Sequence, residues 1–175
     1  APEKRLEETI GILKRVREGY PELHLHVIGH MGNDAYGRMI QVRIRENEAW
    51  VHHEGKQVGG DKARLLAAHR YGIHCCRGDA YPGAVAEMVK SGCLVFAHRL
   101  GGQNEIIDHS LLMFGSIPDA VRKILAVLGN DTLQRRLRAH LRKRATLIST
   151  DLFLTRFRKL VQKFLEERSS RRAQS

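Results

Sequence analysis

Apolar residues recur along this chain with two alternating periods. Leu6, Ile10, Leu13 and Val16 lie on one stripe of a helix that opens at Pro2 and ends at Gly19. Leu23, Leu25 and Val27 then alternate with His24 and His26 before Ile28 and Gly29, the period of a strand that runs into a turn. A second helix is expected over about 34–46, and a short strand around 50–52. The turn-rich segment 54–61 follows, and Asp61 is expected to cap the next helix. That helix carries Ala63, Leu66 and Ala67 and ends near Gly72, after which 73–76 reads as a buried strand.

Residues 77–81 form a loop leading to Pro82, a favoured first residue of a helix, and this helix runs to Ser91-Gly92. Another apolar strand spans 93–97. Strands alternating with helices predict an α/β domain, a Rossmann-like parallel sheet with helices on both faces, in which ligands bind beyond the carboxyl ends of the strands. From Asp119 the pattern is helical, through Val121, Ile124, Leu125 and Leu128, a break at Asn130-Asp131, then Leu133, Leu137 and Leu141. Ser149, Thr150 and Asp151 cap a last helix whose stripe is Leu154, Phe157, Leu160, Val161, Phe164 and Leu165, a face that must be buried somewhere. The reading is one domain over 1–168 with a disordered basic tail at 169–175 and no internal repeat.

Length changes little in this picture: 175 residues suffice for one core without staples. Of the three cysteines, Cys75 and Cys76 are adjacent and Cys93 sits in an apolar run, without zinc-type spacing, so buried free thiols in a reducing compartment are expected. No apolar run approaches the ~20 residues that span a bilayer, and the charged start Ala1-Pro2-Glu3-Lys4-Arg5 lacks a signal-peptide core, which predicts a cytoplasmic, soluble or membrane-peripheral domain.

Charge changes more. The formal +11 suits an anionic partner, and it concentrates in a basic stretch over 135–172. Most Phe and Tyr residues fall outside that stretch, so stacking platforms interleaved with Arg are not evident, and no nucleic acid is expected. A solvated helical face and an anionic membrane or partner surface remain the readings of the basic stretch.

The residues with chemical promise cluster between Arg77 and Glu105. Asp79 and Glu87 flank seven residues, and between them Pro82 and Gly83 open a helix whose free amides and dipole suit a phosphate. Glu87, about one turn inside, can accept hydrogen bonds from two adjacent ribose hydroxyls; alternatively it complements the dipole while Asp79 serves a turn. Gly101-Gly102 lets a backbone approach a ligand closely, or makes an ordinary turn. Ten histidines invite a metal reading, especially His24, His26 and His30 or the His52-His53 pair, but His24 and His26 project from one face of a strand without a carboxylate or cysteine set in register, so no metal is expected. His98 lines a pocket or ends a strand.

The run from Gly78 to Gly92 (Asp79, Pro82, Gly83, Ala84, Ala86, Glu87, Met88, Gly92), then Leu94-Val95-Phe96-Ala97, then Gly101-Gly102-Gln103-Asn104-Glu105, resembles the donor-site signature of family 4-like retaining glycosyltransferases of GT-B fold. Ala1-Pro2-Glu3-Lys4 is similar to that family's entry to its first helix, the stretch 50–58 to its strand and base-contacting loop, and Thr150-Asp151-Leu152-Phe153 to its closing helix, which packs back towards the partner domain.

The resemblance implies a C-terminal donor-binding domain, half of a GT-B fold, that binds a UDP- or GDP-linked sugar for retaining transfer of a hexosyl group to a sugar or lipid-linked acceptor. Lys4 would lie against the diphosphate, Tyr81, Pro82 and Gly83 would approach phosphate and sugar, and Glu87 would bind the ribose. Gly101 and Gly102 would border the donor, and Lys56, Gln57 and Val58 would read the base. Asp79, where the family usually has Glu, would hold sugar hydroxyls near the reacting carbon as the catalytic carboxylate. Pro82 has no N–H to give. The departing diphosphate would be stabilised by a helix N-terminus and Lys4 with no metal or other cofactor. The family's preceding strand, ending in Gly-Arg, and its N-terminal acceptor domain are not in this sequence. Sugar transfer is therefore expected of the two domains together and not of this one alone. The rival readings are a nucleotide-sugar epimerase of GT-B fold and a non-catalytic nucleotide- or anion-binding scaffold.

Overall fold

Strand and helix alternate from Leu25 to Leu128 much as the periodicities predict. The structure is a computed structural model describing residues 1–173. A 3-10 turn (Pro2–Lys4) precedes α1 (Leu6–Val16), β1 (Leu25–Ile28), α2 (Ala35–Arg45), β2 (Val51–Gly55), α3 (Gly59–Ala67), β3 (Tyr71–His74) and α4 (Gly83–Lys90). There follow β4 (Leu94–His98), α5 (Gln103–Ile107), a 3-10 turn (Ser110–Leu112), β5 (Met113–Phe114), α6 (Ile117–Leu128), α7 (Asp131–Ala145) and α8 (Thr150–Ala173). The tail expected at 169–175 shares α8's backbone as far as Ala173, and Gln174 and Ser175 lie outside the described residues.

Every ladder is parallel. Leu25 faces Val51 across β1 and β2, Ile73 faces Phe96 across β3 and β4, and Ala97 faces Met113 across β4 and β5. The strands form two sheets, β1-β2 and β3-β4-β5, with no ladder from β1 to β3 among the described residues. β4 is the axis of the larger sheet and is buried at all five positions, as a parallel strand covered on both faces must be. Tyr71, Gly72 and Ile73 of β3 are only partly buried, because one edge of that strand carries no neighbouring strand among the described residues.

Helix α1 bridges the two sheets. Its Ile10 joins Leu25, Val27, Trp50 and Val51, whereas Ile12 and Val16 enter the larger cluster built around Val85, Leu94, Phe96, Ile107 and Phe114. Leu13 and Ile73 touch both clusters. Each fully buried side chain of this kind is worth about 1.5–3 kcal/mol, so the larger cluster dominates stability.

Local chemistry corrects the sequence reading at three points. The helix expected from Pro2 is broken: Arg5 adopts a left-handed conformation (φ 49°) and its N–H closes the 3-10 turn onto the Pro2 carbonyl, so α1 starts at Leu6. Asp61 does not cap α3; the helix begins at Gly59 after Val58, and exposed Asp61 pairs with Arg64 in the first turn. Pro82 is the cap of α4 rather than its first residue. Two elements carry no periodic signal in the sequence, α5 and β5, both too short to show a period.

The apolar stripe of α8 stays in solvent, with Phe153, Phe157, Leu160 and Phe164 all more than half exposed. No described helix is long and apolar enough to cross a membrane. Cys75, Cys76 and Cys93 are free and buried, and burial pushes the Cys75 thiol up to about 12.

Candidate functional site

The site grows from the carboxyl ends of β3 and β4. Beyond their ladder the two following loops stay zipped: the Gly78 N–H donates to the Leu100 carbonyl, and the Gly102 N–H donates to the Asp79 carbonyl at 2.7 Å, giving a parallel bridge between Asp79 and Gly101. Only glycine permits this contact. A Cβ at Gly102 would lie 2.0 Å from the Ala80 carbonyl oxygen, and Gly101 has φ 120° with Asp79 backbone atoms against its Cβ position. Gln103 locks the loops from beneath. It is fully buried, and its side-chain amide donates to the carbonyls of His98 (2.6 Å) and Cys76 (3.2 Å).

Asp79 lies at the centre of this constellation. Its Oδ1 accepts from the Tyr81 N–H at 3.2 Å, and its Oδ2 is 3.6 Å from Lys4 Nζ. Lys4 arrives there because the left-handed Arg5 turns the chain between the 3-10 turn and α1. Two further contacts tie α1 to the end of β3: Arg77 forks both oxygens of Glu8 at 3.1 Å, and the Thr9 hydroxyl donates to Cys75 Sγ at 3.2 Å. His74 and Cys76 are buried beside Asp79, with ligand-capable atoms of the three within 4.8 Å of one another. Burial holds the His74 imidazole below its ordinary pKa, with Lys4 adding to the depression and Asp79 opposing it.

At α4, Pro82 is buried and Gly83 exposed. The Pro82 carbonyl accepts from the N–H groups of Val85 and Ala86, so the amides of Gly83 and Ala84 precede the helical ladder and face out of its positive end. One turn on, Glu87 pairs with Lys62 of α3 at 2.5 Å. That pair places the start of α3, and with it the loop carrying Lys56, Gln57 and Val58, on the same edge as α4. Lys56 and Val58 are exposed there, and the Gln57 amide is tied to the Glu54 carbonyl at 2.6 Å. The structure thus brings together Lys4, Asp79, Tyr81, Pro82, Gly83, Gly101 and Gly102, with Glu87 one turn away; Lys56, Gln57 and Val58 join them only through Lys62.

Gln103, His74 and Cys76 were not singled out as site residues. Gln103 could have been found as the polar residue after paired glycines, and His74 and Cys76 as polar positions at the end of an apolar strand. His24 and His26 do share one face, as expected, but their partners come from β2: His24 Nδ1 meets His52 Nε2 at 2.8 Å and His26 Nδ1 meets Glu54 at 2.7 Å. His98 is buried beneath the site, where its Nδ1 accepts from the Leu100 N–H and its ring meets Phe114 edge-on. Beyond Tyr81 and Gly102 a groove of about 680 Å³ runs along Ile106, Leu152, Phe153 and Arg156 towards α8.

No family model and no curated protein matches this sequence. Solved structures do. The pneumococcal O-GlcNAc transferase GtfA, solved with UDP and GlcNAc, superposes with a TM-score of 0.77 at 17% identity, over 94% of this chain and 34% of its own. TarM of S. aureus gives 0.72 at 20% identity over 91% and 33%. The catalytic domain of the cholesterol-α-glucosyltransferase of Helicobacter pylori gives 0.68 at 15% over 85% and 93%. The chain spans about a third of the first two of these, at 34% and 33%. Parallel sheets flanked by helices and this likeness together establish that the chain has the fold of one Rossmann-like half of a GT-B fold.

Proposed function

We propose that this chain is the donor-binding half of a retaining glycosyltransferase, which takes a UDP- or GDP-linked hexose and, with a second domain, passes the sugar to a sugar or lipid-linked acceptor. One observation carries the reading: Lys4, Asp79, the open amides of α4 and the Gly101-Gly102 loop converge on one carboxyl edge. In this reading the diphosphate rests on the α4 N-terminus with Lys4 beside it, and Glu87 leaves Lys62 to hold the ribose hydroxyls. Asp79 receives the sugar hydroxyls, and the 56–58 loop faces the base.

As the bond to the anomeric carbon breaks, negative charge grows on the departing phosphate. The helix dipole and Lys4 are already oriented towards that charge, so its stabilisation costs no reorganisation and calls for no metal. Asp79 is one methylene shorter than the glutamate it replaces, and its fixed backbone, bridged to Gly101, sets how deep a sugar must sit to meet it. UDP bound to GtfA supports a uridine nucleotide as the first candidate.

The unpaired edges of β1 and β3 support a further element of the same proposal, a parallel strand that precedes Ala1 and completes one sheet. Lys4 lies at the carboxyl end of β3, which is where such a strand would deliver the chain into α1, and the resulting strand-helix-strand crossover to β1 is the common right-handed unit. In this reading the exposed stripe of α8 is the face that meets the acceptor-binding domain, in the cytoplasm or at an anionic membrane surface.

Calorimetric titration with UDP, GDP and ADP tests the reading. Saturable binding of one nucleoside diphosphate, weakened at least about 10-fold in Glu87→Ala, is expected, with no sugar transfer by this chain alone. An absence of nucleotide preference, or steeply salt-dependent DNA binding in its place, sinks it. Rearrangement of the donor without an acceptor identifies an epimerase instead.

A further inference from the structure

We infer that His74, Cys76 and Asp79 form a binding site for a borderline-soft divalent cation of the zinc type. A ring nitrogen of His74, Sγ of Cys76 and a carboxylate oxygen of Asp79 all lie within 4.8 Å of one another. Zinc takes imidazole and thiolate ligands at about 2.0–2.3 Å, so the triangle closes on a cation with small side-chain movements. The set suits zinc: the thiolate is a soft donor and the imidazole a borderline one, a pair that disfavours magnesium and calcium, and zinc also accepts the harder carboxylate oxygen.

A second observation points to a ligand. His74 is only 9% exposed, and its Nε2 is buried with no hydrogen-bond partner. An orphaned buried nitrogen costs on the order of 1–3 kcal/mol, and a cation bound there takes up its lone pair. The backbone carbonyls of the same strand end are met by the Gln103 amide, whose own Oε1 is, like His74 Nε2, buried without a partner.

The backbone holds the three residues in place. His74 ends β3, and Cys76 follows two residues on. Gly78 (φ 78°) turns the chain, and the Asp79-Gly101 bridge pins the carboxylate's own backbone. Such fixed surroundings tune a metal site as much as its ligands do. Deprotonation of the Cys76 thiol on binding leaves one thiolate and one carboxylate, which together balance a dication. Lys4, about half exposed, is the competing charge on Asp79, and it swings towards solvent when the cation enters. Three protein ligands leave a fourth position open, on the side where Asp79 faces the proposed donor. The cation therefore acts as a competitor for Asp79 and not as a participant in transfer.

The site needs only these three side chains and stands whether or not the chain binds a nucleotide sugar. Cobalt(II) titration of the chain, without nucleotide, tests it by absorption. A sulfur-to-cobalt charge-transfer band is expected, saturating at one equivalent and abolished by added zinc. It should vanish in Cys76→Ser and persist in Cys75→Ser and Cys93→Ser, with the cobalt affinity lowered at least about 10-fold in Asp79→Asn. Asp79→Asn lies at the partly exposed rim and reports on the site even if Cys76→Ser fails to fold. The inference is overturned if no thiolate band forms, as when cobalt collects on the His24-His52 pair, or if the band survives in Cys76→Ser.

Discussion

Lys4 Nζ stands 3.6 Å from Asp79 Oδ2, joining the first turn of the chain to the loop after β3 at the edge where a donor would bind. The pair is partly exposed, with Lys4 48% and Asp79 25% accessible, so it adds little stability. Replacing Lys4 by Ala should leave the unfolding midpoint nearly unchanged. In the proposed role it should weaken UDP or GDP about 10-fold while leaving the bare nucleoside unaffected, because only the diphosphate meets the ammonium. Paired titrations with UDP and uridine measure this, and equal losses for both would refute it.

Glu87 offers a cleaner separation of stability from binding. Its pairing with Lys62 at 2.5 Å lies at an exposed helix surface, where such pairs contribute about 0–1 kcal/mol. A charge-assisted hydrogen bond to ribose is worth about 1.5–3 kcal/mol, so Glu87→Ala should lower nucleotide affinity by roughly 10- to 100-fold with no comparable loss of fold. The deoxyribose analogue of the nucleotide should lose affinity on the intact protein and lose no more on the variant.

Gly102→Ala should damage the fold as well as the site. The added Cβ would meet the Ala80 carbonyl oxygen at 2.0 Å, which parts the two loops and breaks the Gly102 N–H bond to Asp79. A destabilisation of about 1–3 kcal/mol is expected, read as a lower urea midpoint together with lost nucleotide binding. An unshifted midpoint would mean the loops are not packed as described.

Acid should weaken the protein from the ordinary histidine range downward. Burial lowers the His98 pKa, with the positive Arg77 contributing next, and His74 is lowered chiefly by burial and then by Lys4. Both bind a proton more readily unfolded than folded. Their contribution is complete above the unfolded value and is lost as pH falls through it towards the lower folded values. The urea midpoint at pH 5.5 should lie below that at pH 7.5, and His98→Gln should shrink the difference.

Phe157 and Phe164 rest on the solvent side of α8. Their joint replacement by Ser should alter the unfolding free energy of this chain by no more than about 0.5 kcal/mol. If the chain acts with a second domain as proposed, the same change should loosen domain closure, seen as reduced transfer. A large loss of stability in the isolated chain would show that α8 folds onto the body described here.

Much of this protein was legible in its amino acids, because helix and strand periods are local. The stripe Leu6, Ile10, Leu13, Val16 and the alternation around Leu25 and Val27 follow from side-chain geometry alone, and Ser149 caps α8 through a contact three residues away, the Leu152 N–H at 3.0 Å. The helix start at Pro82-Gly83 and the Gly101-Gly102 turn were equally visible, since each is written in consecutive residues. Breaks set by single backbone conformations were not: the left-handed Arg5 and the cap at Val58 carry no pattern, and a two-residue strand such as β5 is too short to repeat.

Tertiary structure decided who meets whom. No spacing rule pairs Lys4 with Asp79, Lys62 with Glu87 or His24 with His52, because parallel ladders and α-helical crossovers unite residues whose sequence separation depends on every connection between them. The same holds for the cluster of His74, Cys76 and Asp79 and for the open edges of β1 and β3. Local sequence therefore determined the elements and the character of the site edge. The arrangement of charge and ligands on it is a property of the packed fold, in which burial fixes each side chain's neighbours.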